Sequence, residues 1–420
     1  MRFIYLLLVF CLINATGIVA QSPIPAELQK KWDEESAVHA NPLVPYKPGP
    51  IPDRITVLPM ADNAGEIAVT WRTDTSCKEG VLQFSSAEGV LFANDKKKAK
   101  SAYTVVQYKD YPMHYHKAIV KGLRAGTTYQ YRVGNGAIWS DWKVYHHSGF
   151  KDTINLLYFG DAQNGIYDYA SKFYKQSFKA SPDADLVIHA GDLINHANND
   201  YEWAEWHAAT GIVNQTIPVL AAPGNHEYLK NLEGHKIQMS AYWNPTFPYG
   251  YVWEQGPYFL DFGFIRFIVL NSNEALDKQG LWLDSLLSKT DKDWVFILSH
   301  HPVFSGAKNR QNKGLQENWL PVMEKYKNKI GMVLAGHDHT YARGGLEARN
   351  RNAQKPSQPV FVVAVTGDKY YPLQKQSWMD VSYDKVSSYQ TISVTKDKIL
   401  YKAFSETNML IDTFEIVKAK

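Results

Sequence analysis

"VLAGHDHTYARG", Val333–Gly344, sets a short apolar run against a glycine and two histidines spaced two apart, His337 and His339. A continuous apolar run of this kind suits a strand covered on both faces. In an extended segment, residues i and i+2 point the same way. The spacing therefore predicts that both imidazoles face one pocket, with Asp338 turned away as a supporting or solvent-facing residue. Gly336 permits a sharp exit from the strand.

Four earlier runs share this design. "INLLYFGD" ends at Asp161 and "DADLVIHAGD" at Asp192; "TIPVLAAPGNHE" carries Asn225 and His226; "DWVFILSHHP" carries His300 and His301. Helix-like stretches such as Ala170–Lys179 and Trp282–Ser288 lie between several of them. In open α/β sheets, sites form just beyond the carboxyl ends of the strands. Five strands ending in metal-ligand residue types thus predict one cluster holding two metal ions. Imidazole, carboxylate and one amide oxygen, with no thiolate, suit divalent Zn, Mn or Fe. A lone histidine on an apolar run is more simply a core residue, and His189 is read that way.

The surrounding chain fills in the architecture. "PYFLDFGFIRFIVLNSN" alternates like a hairpin with Asp261 to Gly263 at its bend, and "PVFVVAV" to "DTFEIV" is again strand-rich. Trp203 and Trp206, at i, i+3, read as the packed side of a helix, and "YWNPTFPYGYVW" as an aromatic loop packed on the domain. Residues 151–420 are thus expected to form one α/β domain of mixed β-sheets sandwiched by helices, in four layers. Upstream, "ITVLPM", "EIAVTWRT", "GVLQFSS", "HKAIVKGL", "TTYQYRVGNG" and "DWKVYHH" recur at roughly ten-residue spacing, the pattern of a small β-sandwich over 51–150. Residues 21–50 hold six prolines and read as a linker or strap.

The first 20 residues have the form of a cleaved secretory signal, Arg2 and an apolar run ending in small residues, so a secreted or periplasmic chain is expected. Cys11 leaves with it and Cys77 remains alone, which excludes an intrachain disulfide. No later run is long and apolar enough to span a bilayer. A formal charge of +3 gives no argument for a nucleic acid polymer as partner. Lys96-Lys97-Lys98 reads as a solvated turn, and Asn214-Gln215-Thr216 fits a glycosylation sequon.

The order GD, GD, GNH, H-x-P and GHxH resembles the calcineurin-like metallophosphoesterase superfamily. With the preceding β-sandwich, nearly all of the mature chain resembles the purple acid phosphatases, and "LRAGTTYQYRVG" is similar to the Tyr-bearing strand of fibronectin type III modules. The resemblance implies that Asp161 and His339 bind a first metal. It implies that Asn225, His300 and His337 bind a second, and that Asp192 bridges both. His226 is implied near the phosphate or the leaving oxygen, and His301 as a supporting residue. The implied reaction is hydrolysis of small phosphomonoesters by direct attack of metal-bound hydroxide; phosphodiester hydrolysis and a non-catalytic binding role are the alternatives.

The chain departs from the pattern in three places. Asn195 stands where purple acid phosphatases usually carry a Tyr, and Gln163 where they carry Gly and much of the superfamily a ligating His. The amide oxygen of Gln163 or Asn195, or a water held by one of them, is expected to complete the first metal; the alternatives are that both only hydrogen-bond the site edge, or that His196 replaces the Tyr. The loop "VFSGAKNRQNKG" lacks the family's substrate-contacting histidines, which leaves Lys308 and Arg310 as phosphate ligands. Tyr341 and Arg343 are further candidates for the rim of the site.

Overall fold

A computed structural model of the chain describes residues 25–28, 30–31, 41–60, 65–87, 96–109, 111–149, 152–253, 256–346, 356 and 358–418. The signal-like stretch 1–20, with Cys11, lies outside the described residues. Residues 41–50 lie across both folded regions. Asn41 Nδ2 donates to Asp168 Oδ1 at 2.9 Å, Tyr46 packs on the Tyr201 ring at 3.9 Å, and Gly49 O accepts from Asp74 N at 2.8 Å.

The N-terminal region forms two four-stranded antiparallel sheets. One runs Asp53–Pro59, Ile67–Thr73, Tyr111–Val120, Ala102–Tyr108; the other runs Lys97–Lys100, Val81–Ser86, Thr127–Gly134, Lys143–His147. Trp71, Val69, Leu82, Tyr131 and Val133 fill the space between them. Tyr129, Tyr131 and Val133 alternate with half-exposed residues, as a one-sided strand must. Ile67–Thr73 is instead buried on both faces, because Ala68 packs against the second region. Two strands are not evident as periodic runs in the sequence. Lys97–Lys100, expected as a turn, is an exposed edge strand whose lysines discourage further strand pairing. Ala102–Tyr108 is the edge of the other sheet.

The second region stacks two mixed sheets. The first has the order Val219–Ala221, Leu186–His189, Ile154–Phe159, Ser388–Val394, Lys398–Ser405, Leu410–Val417, the first three being mutually parallel. The second has the order Tyr258–Phe262, Ile265–Val269, Trp294–Leu298, Ile330–Ala335, Val360–Val363, Tyr341–Gly344, Met379–Tyr383, with four parallel strands at its centre. Tyr158, Ile188, Phe267, Phe296, Leu334 and Val362 join the sheets face to face. Helices Ser171–Ala180 and Asp200–Thr216 cover the outer face of the first sheet, and Leu276–Ser288, Lys313–Asn318 and Leu320–Lys325 that of the second. The result is the expected four-layer order. The 258–269 hairpin turns at Gly263-Phe264, later than expected, because Asp261 is in the strand and paired with Arg266.

Trp203 and Trp206 are fully buried. Asn214, on the same helix, is 1% exposed, so its sequon offers no surface acceptor. The two regions are joined by a buried charge network. Asp200 takes Arg54 Nη1 at 2.7 Å, Arg72 Nη1 at 3.3 Å and the Tyr111 hydroxyl at 2.8 Å. Removing one partner would strand a buried charge, so the network fixes how the sandwich sits on the helix layer.

Candidate metal centre

The parallel strands of both sheets deliver their carboxyl-terminal residues to one edge. Asp161 follows Ile154–Phe159, Asp192 follows Leu186–His189, Asn225 follows Val219–Ala221, His300 follows Trp294–Leu298 and His337 follows Ile330–Ala335. Two glycines make the convergence possible. A Cβ on Gly336 would collide with Asp161 Oδ1, and one on Gly224 with Asp192 Oδ1.

Asp192 lies at the centre. Its Oδ2 is 3.1 Å from His300 Nε2 and accepts from Gln163 Nε2 at 3.0 Å. Its Oδ1 accepts from the His226 backbone N–H at 2.8 Å. Burial alone would raise the Asp192 carboxyl, but His300 and His226 bring it well below the ordinary carboxylate range. On one side, His300 Nε2 also faces Asn225 Oδ1 at 3.2 Å and His337 Nδ1 at 3.1 Å. On the other, Asp161 Oδ2 is 3.0 Å from His339 Nε2, whose neighbour at 2.9 Å is Gln163 Nε2.

The histidines are held by bonds that fix which nitrogen they present. His300 Nδ1–H donates to Ala190 O at 2.8 Å and His339 Nδ1–H to Lys369 O at 2.9 Å, leaving each Nε2 aimed inward. His226 Nδ1–H donates to Asn195 O at 2.6 Å, and its Nε2 lies 4.0 Å from Asp192 Oδ2. Burial lowers the His226 pKa, partly offset by Asp192.

This donor set fits a pair of cations. With His300 Nδ1 spent on Ala190, its Nε2 confronts two acceptors, Asp192 Oδ2 and Asn225 Oδ1, besides His337 Nδ1, and a neutral imidazole has no hydrogen left for either oxygen. Burial opposes a second proton on His300, whereas Asp192 and Asp161 draw one there and raise its pKa to about 9. Asp161 Oδ2 and Gln163 Oε1 are buried and accept no hydrogen bond among the described residues. Divalent ions bound by imidazole, carboxylate and amide oxygen would satisfy all of these atoms at once.

Several expected residues take other roles. His337 and His339 are not in extended backbone; their φ values are 71° and 48°, and two left-handed residues in a bend, not strand alternation, aim both inward. Asp338 is fully buried and takes Ser305 Oγ at 2.6 Å and Gly306 N at 2.7 Å. Tyr341 and Arg343 are not at the rim. They are buried between the sheets, where Asp412 takes the Tyr341 hydroxyl at 2.7 Å and Arg343 Nε and Nη2 at 2.7 and 2.9 Å. His196 is turned to Glu202, with Nδ1 2.7 Å from Oε1. Asn195 is half-buried; its backbone N–H donates to Glu202 and its carbonyl accepts from His226 Nδ1–H. His301 supports the site edge through Ser272, with Nδ1 2.7 Å from Oγ and its ring 4.0 Å from that of His337. Arg310 reaches the centre: its guanidinium contacts His337 Nε2, lies 3.4 Å from Asp338 Oδ1 and stacks 4.4 Å from the Tyr371 ring. Lys308 is exposed, its backbone bound to Pro372 O.

One residue escaped the sequence reading. Glu227 is fully buried and accepts the N–H groups of Asp192, Leu193 and Gly224 at 2.9, 2.7 and 2.6 Å. It fixes the two ligand-bearing loops to each other. Burial, then Asp192, pushes its carboxyl up to about 8. The signal was its place directly after Asn225-His226 in an otherwise apolar stretch.

Comparison with known proteins agrees with this geometry. Residues 154–341 match the calcineurin-like phosphoesterase family and residues 52–147 the N-terminal domain of purple acid phosphatases. The chain belongs to the calcineurin-like metallophosphoesterases. Within them, its two-domain make-up marks it as a purple acid phosphatase-like member. It is 24% identical over 369 residues to mouse acid phosphatase type 7, covering 76% of this chain and 81% of that one. It is 26% identical to probable inactive purple acid phosphatase 1 of Arabidopsis thaliana, covering 67% of this chain and 51% of that one. Among solved structures, purple acid phosphatase PPD1 from yellow lupin seeds superimposes with a TM-score of 0.70 at 19% identity, over 88% of this chain and 74% of that one.

Proposed function

We propose that the chain is an exported dinuclear-metal phosphatase acting on phosphomonoesters. Asp161, Gln163 and His339 would hold one cation, Asn225, His300 and His337 the other, and Asp192 both. The observation that carries this reading is the convergence of Asp161 Oδ2, Asp192 Oδ2, His300 Nε2, His337 Nδ1 and His339 Nε2 on one buried patch, neighbours lying 3.0–3.1 Å apart. Some relatives are named as inactive; the near-complete ligand set here supports activity.

When bound, paired divalent ions acidify a shared water and draw charge from the phosphoryl oxygens. The chain supplies the rest. Asn195 O holds the Nδ1–H of His226, so Nε2 faces the centre bare and, once protonated, can donate to the leaving oxygen or hold a phosphoryl oxygen. Arg310 offers a planar fork stacked on Tyr371. If His337 Nδ1 held a cation, its hydrogen would sit on Nε2 facing the Arg310 guanidinium, so that Arg310 would turn to the phosphate, with Lys308 further out on the same loop.

Gln163 is favoured over Asn195 for the open position because it already touches Asp192 and His339. A 180° turn of its amide exchanges Nε2 for Oε1. The signal-like residues 1–20 support export. The test is hydrolysis of p-nitrophenyl phosphate and bis(p-nitrophenyl) phosphate before and after chelation, with Zn, Mn or Fe restored separately. Activity that survives metal removal would overturn the reading, and a higher kcat/KM on the diester would overturn the monoester preference.

A further inference from the structure

The loop carrying Asn225, His226 and Glu227 runs directly into a hairpin, Tyr228–Lys230 paired antiparallel with Lys236–Met239. Its register sets Lys230 opposite Lys236. Like charges directly opposite across a strand pair are destabilising. Lys236 Nζ rests 2.6 Å from Asn273 Oδ1, an uncharged acceptor. Asn273 is itself bound to Pro223 O and Gly224 O at 3.1 and 3.2 Å, so the ammonium lies on the wall that carries Asn225.

A third cation comes from a separate segment. Lys369 gives its carbonyl to His339 Nδ1, and its ammonium repels a charge on both Lys230 and His226. Lys236 bears in the same way on His301. Desolvation and then Lys230 push Lys236 down to about 8, which leaves it charged at neutral pH; Lys230 is lowered by burial and by Lys369. The carboxylates acting on the pair are Asp192, Glu227 and Glu274. Asp192 belongs to the metal set. Glu227 holds three backbone N–H groups, and Glu274 takes the Tyr228 hydroxyl at 2.6 Å and the Asn271 amide at 2.9 Å. Among the described residues no carboxylate pairs directly with these lysines; Lys369 stands over the Tyr371 ring at 5.3 Å, Lys31 adds to the charge around Lys230, and two bound dications would add more.

A single phosphoryl group is provided for by the cations, His226 and Arg310. The surplus charge beside it calls for a second anion. We propose that Lys230, Lys236 and Lys369 form a subsite for a further phosphate of the substrate, which makes small molecules bearing two or more phosphates the preferred substrates. This rests on the phosphatase reading. The second phosphate can be condensed onto the first, as in a nucleoside diphosphate, or spaced from it on a polyol, as in a sugar bisphosphate.

The experiment compares kcat/KM for ADP, fructose 1,6-bisphosphate and p-nitrophenyl phosphate in the metal-loaded wild type, Lys230→Gln/Lys236→Gln and Lys369→Gln. Calorimetric binding of inorganic pyrophosphate and inorganic phosphate is measured on the same samples. The ratio of the better bisphosphorylated substrate to p-nitrophenyl phosphate should exceed about tenfold in the wild type and fall about tenfold in the double variant. Whichever of the two is better identifies the condensed or the spaced source. Pyrophosphate affinity should weaken about tenfold, more than phosphate affinity does, and Lys369→Gln should shift both readouts the same way. Separating like charges should leave the melting temperature of the double variant unchanged or raised. A substrate ratio and a pyrophosphate affinity unchanged in both variants would overturn the subsite. If no phosphoester is turned over at all, the phosphatase reading fails on its own, and pyrophosphate binding still decides the subsite.

Discussion

The two halves of the metal centre are built differently around Asp192. The half made by Asn225, His300 and His337 presents its donors on three different loops, with His300 Nδ1–H locked on Ala190 O. The other half presents Asp161 and His339, and beside them stands the amide of Gln163, which we propose closes it. The first half needs nothing further. The second depends on one neutral side chain that can turn either end toward an ion. A neutral amide donates less charge than a phenolate, so this half should favour a divalent over a trivalent ion and hold it more weakly.

The bridge is where the comparison breaks most completely. Asp192→Asn keeps the shape but removes the charge shared by the two halves. The expected loss in kcat/KM is about three to four orders of magnitude, ~4–5.5 kcal/mol in the barrier. Metal analysis should show both ions depleted together. Loss of one ion alone would mean that Asp192 belongs to a single half.

Beneath the Asp161 half lies the strand that continues from His339, and here the contrast is between rim and core. Tyr341 and Arg343 point into the space between the sheets, where Asp412 answers both. Asp412→Ala leaves a buried guanidinium with only Asp380, 3.5 Å away, and should cost about 3–5 kcal/mol of stability in urea unfolding. If stability holds and only KM rises, Arg343 faces substrate after all.

Gln163→Ala sharpens the contrast between the halves. Metal affinity on the Asp161 side should fall about 10- to 100-fold, the range seen when a partner of a ligand is removed. Titration with Zn or Mn should then resolve one tight and one weak ion, where the wild type binds two. Equal weakening of both would assign Gln163 to the bridge through its contact with Asp192.

Much of this centre was legible in the chain because the chemistry sits at strand ends. A continuous apolar run followed by Gly-Asp, Asn-His or Gly-His announces both the strand and the ligand. The residues that sequence misplaced answer to distant partners. Arg343 and Tyr341 read only as candidates for the rim, and Asp412, about seventy positions on, gives no sign in the sequence of lying against them. Glu227 passed unnoticed since backbone N–H groups, not side chains, are what it binds. His337 and His339 were placed correctly for the wrong reason: left-handed backbone is a property of the bend, and HxH spacing does not encode it. The edge strand Lys97–Lys100 lacks the apolar alternation that marked its neighbours, because only Ala99 packs on the core and its lysines are exposed.

The smallest effect on rate should come from Asn195→Tyr, and it bears most directly on why the halves differ. The backbone at 195 is held from both sides, so the substitution changes the side chain without moving the loop. A change in kcat/KM of about threefold or less, under ~0.7 kcal/mol, is expected with zinc. With ferric iron the outcome should be visible. The wild type offers carboxylate, imidazole and amide, none of which is a phenolate, and should show no strong absorption band in the visible. The variant restores the phenol that the resemblance to purple acid phosphatases implies at this position, and should acquire such a band. A coloured wild type would mean that a native tyrosine already reaches the ion. Tyr371, whose ring lies 4.8 Å from that of His339, is the one to replace next.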